Sequence, residues 1–234
     1  SCINNSINTN PDASLYHTHF NYINSNSEAI KKCQPLPTQM TASDYLEYTL
    51  KESIDIMATG YVFRSKDYDA IGGIPTSYPN LIYADAQLWI ELSKKSHLVV
   101  DPSIQFSFRI HSSVTKTSKD KILLDAFILF LDYLKGLKQE SANFELTIQS
   151  NLTAFAESTT KAMAHRLLRT PKMNRQGLTI DKVTNEIAEK CMQMEVSYAP
   201  FKIKSIQIAR FIETTPLLNE LFLLFKRIYK KPVL

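Results

Sequence analysis

The chain opens polar and becomes patterned only after its first dozen residues. Ser1–Pro11 is rich in Asn and Ser and predicts a loop. Ala13–Ile23 then alternates, with Leu15, His17, His19 and Asn21 on one side and Tyr16, Phe20 and Tyr22 on the other, which is the period-two pattern of a β-strand. Gln34–Thr41 holds Pro35 and Pro37, so it predicts an extended connector. A helix follows from Thr41–Asp44, where Thr41 or Ser43 can cap it; Tyr45, Leu46, Tyr48, Thr49, Ile54 and Ile56 give it a broad apolar stripe. Thr59–Phe63 predicts a short strand. Ser65 can cap a short helix over Lys66–Ile71, which Gly72-Gly73 ends. Ala84–Lys95 predicts another helix, with Asp85 in its first turn, where the macrodipole favours a carboxylate. His97–Val100 and Ile104–Ile110 predict two further strands.

After Val114 the pattern changes. Asp120–Gln139, Glu145–Arg169, Thr179–Glu195, Ile203–Glu213 and Leu217–Lys230 all carry helical periodicity, and Pro216 marks a helix start. The fold class expected is therefore α+β, with a mixed region over residues 1–115 and a nearly all-helical region over 116–234. The apolar positions of the helical region are most simply core.

Composition narrows this picture. At 234 residues and 44% hydrophobic, the chain can bury a real core in one large or two small domains. No apolar run reaches the roughly 18–20 residues that span a bilayer, and the N-terminus lacks the pattern of a signal peptide. Cys2, Cys33 and Cys191, odd in number and widely spaced, suit neither a disulfide framework nor a zinc site. A reducing compartment follows, with a cytoplasmic location, or one at the inner face of the membrane. The net charge of +4 is uneven: from Phe201 onward there are seven basic residues and two acidic ones. The remainder is close to neutral, which argues against a nucleic-acid partner. The basic C-terminal helices could instead make peripheral membrane contact, with Leu217, Leu221, Phe222, Leu224 and Phe225 toward lipid, or pack on the body or a partner.

Three blocks carry candidate chemistry. They are Tyr61-Val62-Phe63-Arg64-Ser65-Lys66-Asp67-Tyr68-Asp69-Ala70-Ile71-Gly72-Gly73-Ile74-Pro75, then Ala84-Asp85-Ala86-Gln87-Leu88-Trp89-Ile90-Glu91-Leu92, then Phe108-Arg109-Ile110-His111-Ser112-Ser113-Val114-Thr115. In this order and spacing they resemble the second half of family-2, GT-A type glycosyltransferases, over about a quarter of the chain. That family shows a strand–helix–Gly-Gly turn, an acidic helix start followed by Leu-Trp, and a closing Tyr-Arg-x-His strand. The resemblance implies that Asp85 is the general base on an acceptor hydroxyl. It also implies that Gly72, Gly73, Trp89, Arg109 and His111 contribute to substrate binding, and that His111 ligates the metal or contacts the diphosphate. Two positions depart from the family: the usual acidic pair is Ala84-Asp85, and Glu91 stands where Arg is commoner.

The donor-binding half of that family carries an Asp-x-Asp that grips a divalent metal and the diphosphate. No Asp-x-Asp precedes Asp44, the five glycines form no phosphate loop, and Asp67/Asp69 sit on a short helix as a solvated face. A chain that begins at Ser1 rather than Met is therefore expected to be part of a longer inverting enzyme. That enzyme would use Mg or Mn and move a sugar from a nucleotide-sugar to a glycan or lipid-linked acceptor, by analogy in polysaccharide biosynthesis. This chain alone is expected to bind no metal and to lack turnover. The bland alternatives remain open: Asp85 as a helix-start carboxylate, His111 as a strand-end hydrogen-bonding residue, Arg109 in an ion pair, and the whole as a non-catalytic helical interaction module or membrane-surface adaptor. His17 and His19 share a strand face but have no third ligand in view, and no nucleophile elbow accompanies the serines.

Overall fold

The structure is a computed structural model, and it describes residues 2–110 and 118–228. The fold is α+β, a partial sheet with helices followed by a helical C-terminal region. The chain divides into two compact units, Ser1–Thr117 with Gly136–Asn151 and Ser118–Lys135 with Leu152–Leu234. Gly136–Asn151 thus group with the first unit, although they follow the expected boundary in sequence. Ser43 explains part of this, since its Oγ lies 2.9 Å from Thr147 Oγ1, and Lys94 Nζ reaches Glu140 at 2.6 Å.

In the first unit, β1 (Leu15–Ile23) is the central strand. Its first four residues are all buried, so alternation gives way to cover on both faces. β5 (Leu98–Arg109) runs parallel to it, from Leu15 opposite Leu98 to Ile23 opposite Arg109. β2 (Ala29–Lys32) and β4 (Val62–Phe63) both pair antiparallel with β1, at its end and its start, and β3 (Gln39–Met40) pairs with the start of β5. The two strands expected over 97–110 are one. The ladder skips between Asp101 and Ile104, so Pro102 falls in an irregularity where its missing N–H costs no pairing, and the strand resumes.

The N-terminal stretch is a helix rather than a loop: α1 (Cys2–Thr9). Ile3 and Ile7, four apart on one face, pack against Ala13, Tyr16 and Val99. Thr9 and Asn10 side chains occupy carbonyls of its last turn, so tertiary contact outweighs the weak helix propensity of Asn and Ser. α2 (Ala42–Leu50) begins with a capping box between Thr41 and Asp44 and stops at Leu50, short of the expected Ile56. Glu52 just beyond it takes a left-handed conformation. α3 (Ser65–Ala70) and α4 (Ala84–Lys95) follow, and α4 buries Ala86, Trp89, Ile90 and Leu92.

The second unit is built from α5 (Asp120–Glu140) and α6 (Ala142–Arg169), apart from their junction in the first unit, together with α7 (Ile180–Gln193), α8 (Lys204–Thr214) and α9 (Pro216–Ile228). Phe127, Phe130, Leu131, Leu134, Ile187 and Ile206 lie in its core. A buried ion pair joins Arg175 to Glu213 at 2.5 Å; Glu213 Oε2 also accepts from the Ile180 N–H at 2.8 Å, at the start of α7. Among the described residues no helix is long and apolar enough to cross a membrane.

Candidate active site

Asp85 stands in the first turn of α4, and the backbone that delivers it is costly. Asn80, Leu81 and Tyr83 have φ of 54°, 57° and 73°. Asn tolerates the left-handed region, but Leu and Tyr pay about 1–2 kcal/mol each for it. Tyr83 is the N-cap of α4 yet offers no side-chain cap. Instead Asp85 Oδ1 accepts from the Ala86 N–H at 2.9 Å. Burial pushes the Asp85 carboxyl above its ordinary range, and the amides of the helix start, Ala86 and its own, pull back only part of the way. No salt bridge reaches it among the described residues.

Two tyrosine hydroxyls lie within its field. Tyr45, on α2, and Tyr61, just before β4, approach each other at 3.2 Å. Burial raises both phenols, and the charge of Asp85 raises them further, so each is a neutral O–H. Tyr61 is the middle of a stack of three rings. His17 lies on one side with centroids 4.0 Å apart, and Trp89 on the other at 4.2 Å. Trp89 is only 2% exposed, and its Nε1–H donates to the Met57 carbonyl at 3.0 Å. Its placement therefore supports Tyr61 from within the core rather than offering a face to a ligand.

His17 completes the stack from β1. Its Nδ1 lies 2.9 Å from the Gly60 carbonyl, which can only accept, so Nδ1 carries the proton. The other ring nitrogen, Nε2, is buried with no partner among the described residues. Burial drops this histidine to about 4, so it is neutral at pH 7. Gly60 has φ of 86°, and a Cβ there would lie 2.2 Å from the Phe106 ring, so this close approach requires glycine.

The remaining sequence-derived positions separate from this centre to different degrees. Gly72 and Gly73 end α3 in the left-handed region; the Gly73 N–H donates to the Tyr68 carbonyl at 2.9 Å and the Ile74 N–H to the Tyr68 hydroxyl at 3.0 Å. A Cβ on Gly72 would meet nothing within 4 Å, so the turn is open on that side. Arg109 sits opposite Ile23, six residues along β1 from His17, or roughly 20 Å at strand rise. Its guanidinium donates to the carbonyls of Asn24 and Ser25 at 2.6 and 2.9 Å and to Ser27 Oγ at 3.0 Å, fastening the β1–β2 turn. His111 lies outside the described residues. Asp67 faces Arg64 at 3.7 Å, and Glu91 pairs with Lys94 at 3.0 Å. His19 accepts from the Leu36 N–H at 3.1 Å, while His17 is turned to Gly60.

Among the described residues no three His, Cys, Asp or Glu side chains converge on a point that could hold a metal. Cavities of about 760 Å³ (beside Asn185, Met192 and Tyr198) and about 410 Å³ (beside Asp120, Arg166 and Asn174) belong to the helical unit and have no residue from around Asp85. Chemistry nonetheless favours Asp85, because it combines a raised carboxyl, neutral hydroxyl neighbours and a strained approach.

Tyr45 and Tyr61 were not singled out by sequence, and His17 stood out there only as one of two possible metal ligands with His19. Only Tyr61 fell within a motif block, and residues 17, 45, 61 and 89 meet solely through the sheet and the α2–α4 packing. No protein-family model matches the chain, and neither a curated protein nor a solved structure is significantly similar to it.

Proposed function

We propose that the first unit is the acceptor-binding part of an inverting glycosyltransferase of the family-2, GT-A kind, with Asp85 as its general base. The observation that carries this reading is the carboxylate at the start of α4, raised by burial and in no salt bridge among the described residues. A base of raised pKa is better matched to a sugar hydroxyl than an ordinary surface carboxylate, because it takes the proton more readily as the C–O bond forms. The acceptor oxygen attacks the anomeric carbon, its proton passes to Asp85, and the bond from that carbon to the leaving nucleotide breaks on the opposite face, which inverts the centre. Neutral Tyr45 and Tyr61 hold the local electrostatics without competing as anions. The open Gly72 turn offers backbone to an approaching acceptor. By the resemblance alone, the nucleotide-sugar and its Mg or Mn would be held by a separate donor-binding half.

The test is a substitution in the enzyme that carries this unit. Asp85→Asn should cut kcat by about 10²–10⁴-fold with intact folding, the usual weight of a general base. Unchanged turnover would assign Asp85 to helix stability and leave a non-catalytic module. Incubating the chain by itself with a nucleotide-sugar panel and Mg or Mn should give no transfer; turnover there would place donor chemistry within these 234 residues.

A further inference from the structure

The last helix faces the wrong way for a helix in water. Along α9, Leu217, Leu221, Leu224 and Ile228 recur at spacings of four, three and four, which puts them on one face with Phe225 beside them. All five are at least half exposed, from 50% for Phe225 to 70% for Ile228. The side turned inward contains Asn219, which is 4% exposed with a buried amide nitrogen that lacks a partner among the described residues, and the half-buried Phe222, which meets the His165 ring edge-on. So the apolar stripe is outside and an amide is inside, the reverse of the arrangement that burial favours. On α8, Ile208 and Phe211 are also exposed, at 60% and 63%. An exposed apolar stripe like that of α9 marks something that covers it.

Charge decides what the cover is. The segment from Phe201 on carries seven basic residues against two acidic ones, and Lys202 and Lys204 are exposed at the start of α8. Lys226 lies over the Phe222 and Phe225 rings, 5.6 and 5.7 Å from their centroids, so a cation sits at the margin of the apolar stripe. A second copy docked stripe to stripe would bring two such positive segments together. An anionic phospholipid surface would meet both features, with acyl chains for the stripe and headgroups for the bases. We infer that α9, assisted by α8, docks this protein on the surface of an anionic bilayer, lying in the interface without spanning it. This is independent of the assignment of Asp85.

The experiment is flotation of the full chain with vesicles of phosphatidylcholine alone or with phosphatidylglycerol at about 30%. Wild type should float with the anionic vesicles about tenfold better than with the neutral ones, and raising salt from about 0.1 to about 0.5 M should remove most of that preference. Leu221→Asp with Leu224→Asp, at exposed positions and checked for unchanged helical content, should abolish flotation on both. Neutralising Lys226, Arg227, Lys230 and Lys231 to Gln should erase the preference for anionic vesicles while keeping the fold. Sedimentation of the same proteins supplies the opposing outcome. If wild type forms a dimer that the Asp variant breaks, and no variant or wild type floats, the stripe is a protein interface and the inference fails. Flotation insensitive to both substitutions would overturn it as well.

Discussion

The two units treat particular buried ionisable groups differently. In the helical unit, Arg175 is almost fully buried, and burial lowers its pKa, but Glu213 answers it at 2.5 Å, and the Thr170 carbonyl accepts from its Nε at 2.6 Å. Asp120 faces Arg166 at 2.6 Å in the same way. In the first unit, Asp85 and His17 are both displaced from their ordinary protonation by burial, and among the described residues no ion pair is formed by either of them. The left-handed run before α4 adds cost at the same place. Charges matched by charges build architecture. A carboxylate kept expensive and unmatched, beside neutral hydroxyls, is suited to moving protons.

The largest expected effect tests the matched side. Arg175→Met leaves Glu213 buried and unpaired, and should cost about 3–5 kcal/mol of stability, read by urea unfolding of the full chain on its helical signal. Adding Glu213→Leu should restore most of that loss, because an ion pair replaced by apolar packing is often neutral. A single-variant loss under about 1 kcal/mol would mean the pair is not what fixes this unit, and the contrast would collapse.

His17 tests the unmatched side. Its folded value of about 4 lies below the ordinary 6.5, so the unfolded chain binds the proton more readily. The stability it contributes is complete above about pH 6.5 and is lost as pH falls toward 4, by about 3 kcal/mol in total. Trp89 is the sole tryptophan and stacks in the same ring series, so its fluorescence reports this unit. His17→Phe keeps a ring in the stack and removes the titration. The difference between wild type and variant in unfolding midpoint should therefore narrow or reverse in favour of the variant between pH 6.5 and 4. Parallel curves would show that His17 does not titrate across that window.

Local elements were legible where local chemistry determines them. α4 has the residue bounds expected of it, from an acidic first turn to basic Lys94 and Lys95 in the last. A possible cap at Thr41 or Ser43 marked the start of α2, where the structure has Thr41 in a capping box with Asp44, but nothing local marked its end at Leu50. α1 was hidden because Ile3 and Ile7 gain their helix from a surface formed by Ala13, Tyr16 and Val99. β5 was split in reading because Pro102 is a strand breaker except in a bulge. The position of Asp85 was visible in its motif, whereas its environment was not. Tyr45 and Tyr61 come into its field from α2 and from the residue before β4, His17 backs Tyr61 from β1, and the left-handed path before the helix carried no glycine to announce it.

The smallest expected effect bears most directly on Asp85. A carboxyl whose folded pKa is raised binds its proton more tightly in the native state than in the unfolded one. Ionised Asp85 therefore opposes folding at neutral pH, and this opposition fades as pH falls through its raised range. Asp85→Asn retains an oxygen that can accept from the Ala86 N–H and removes the buried charge. It should stabilise the first unit at pH 7 by about 1 kcal/mol, the scale on which functional groups trade against stability, with the gain shrinking toward acid. Urea unfolding followed through Trp89 fluorescence measures it. The competing reading gives the opposite sign: an anion placed to complement the start of a helix contributes about 0.3–1 kcal/mol, so its removal would destabilise. A more stable Asn variant identifies a carboxylate maintained against the interest of the fold, and a less stable one returns Asp85 to the role of a helix-start anion.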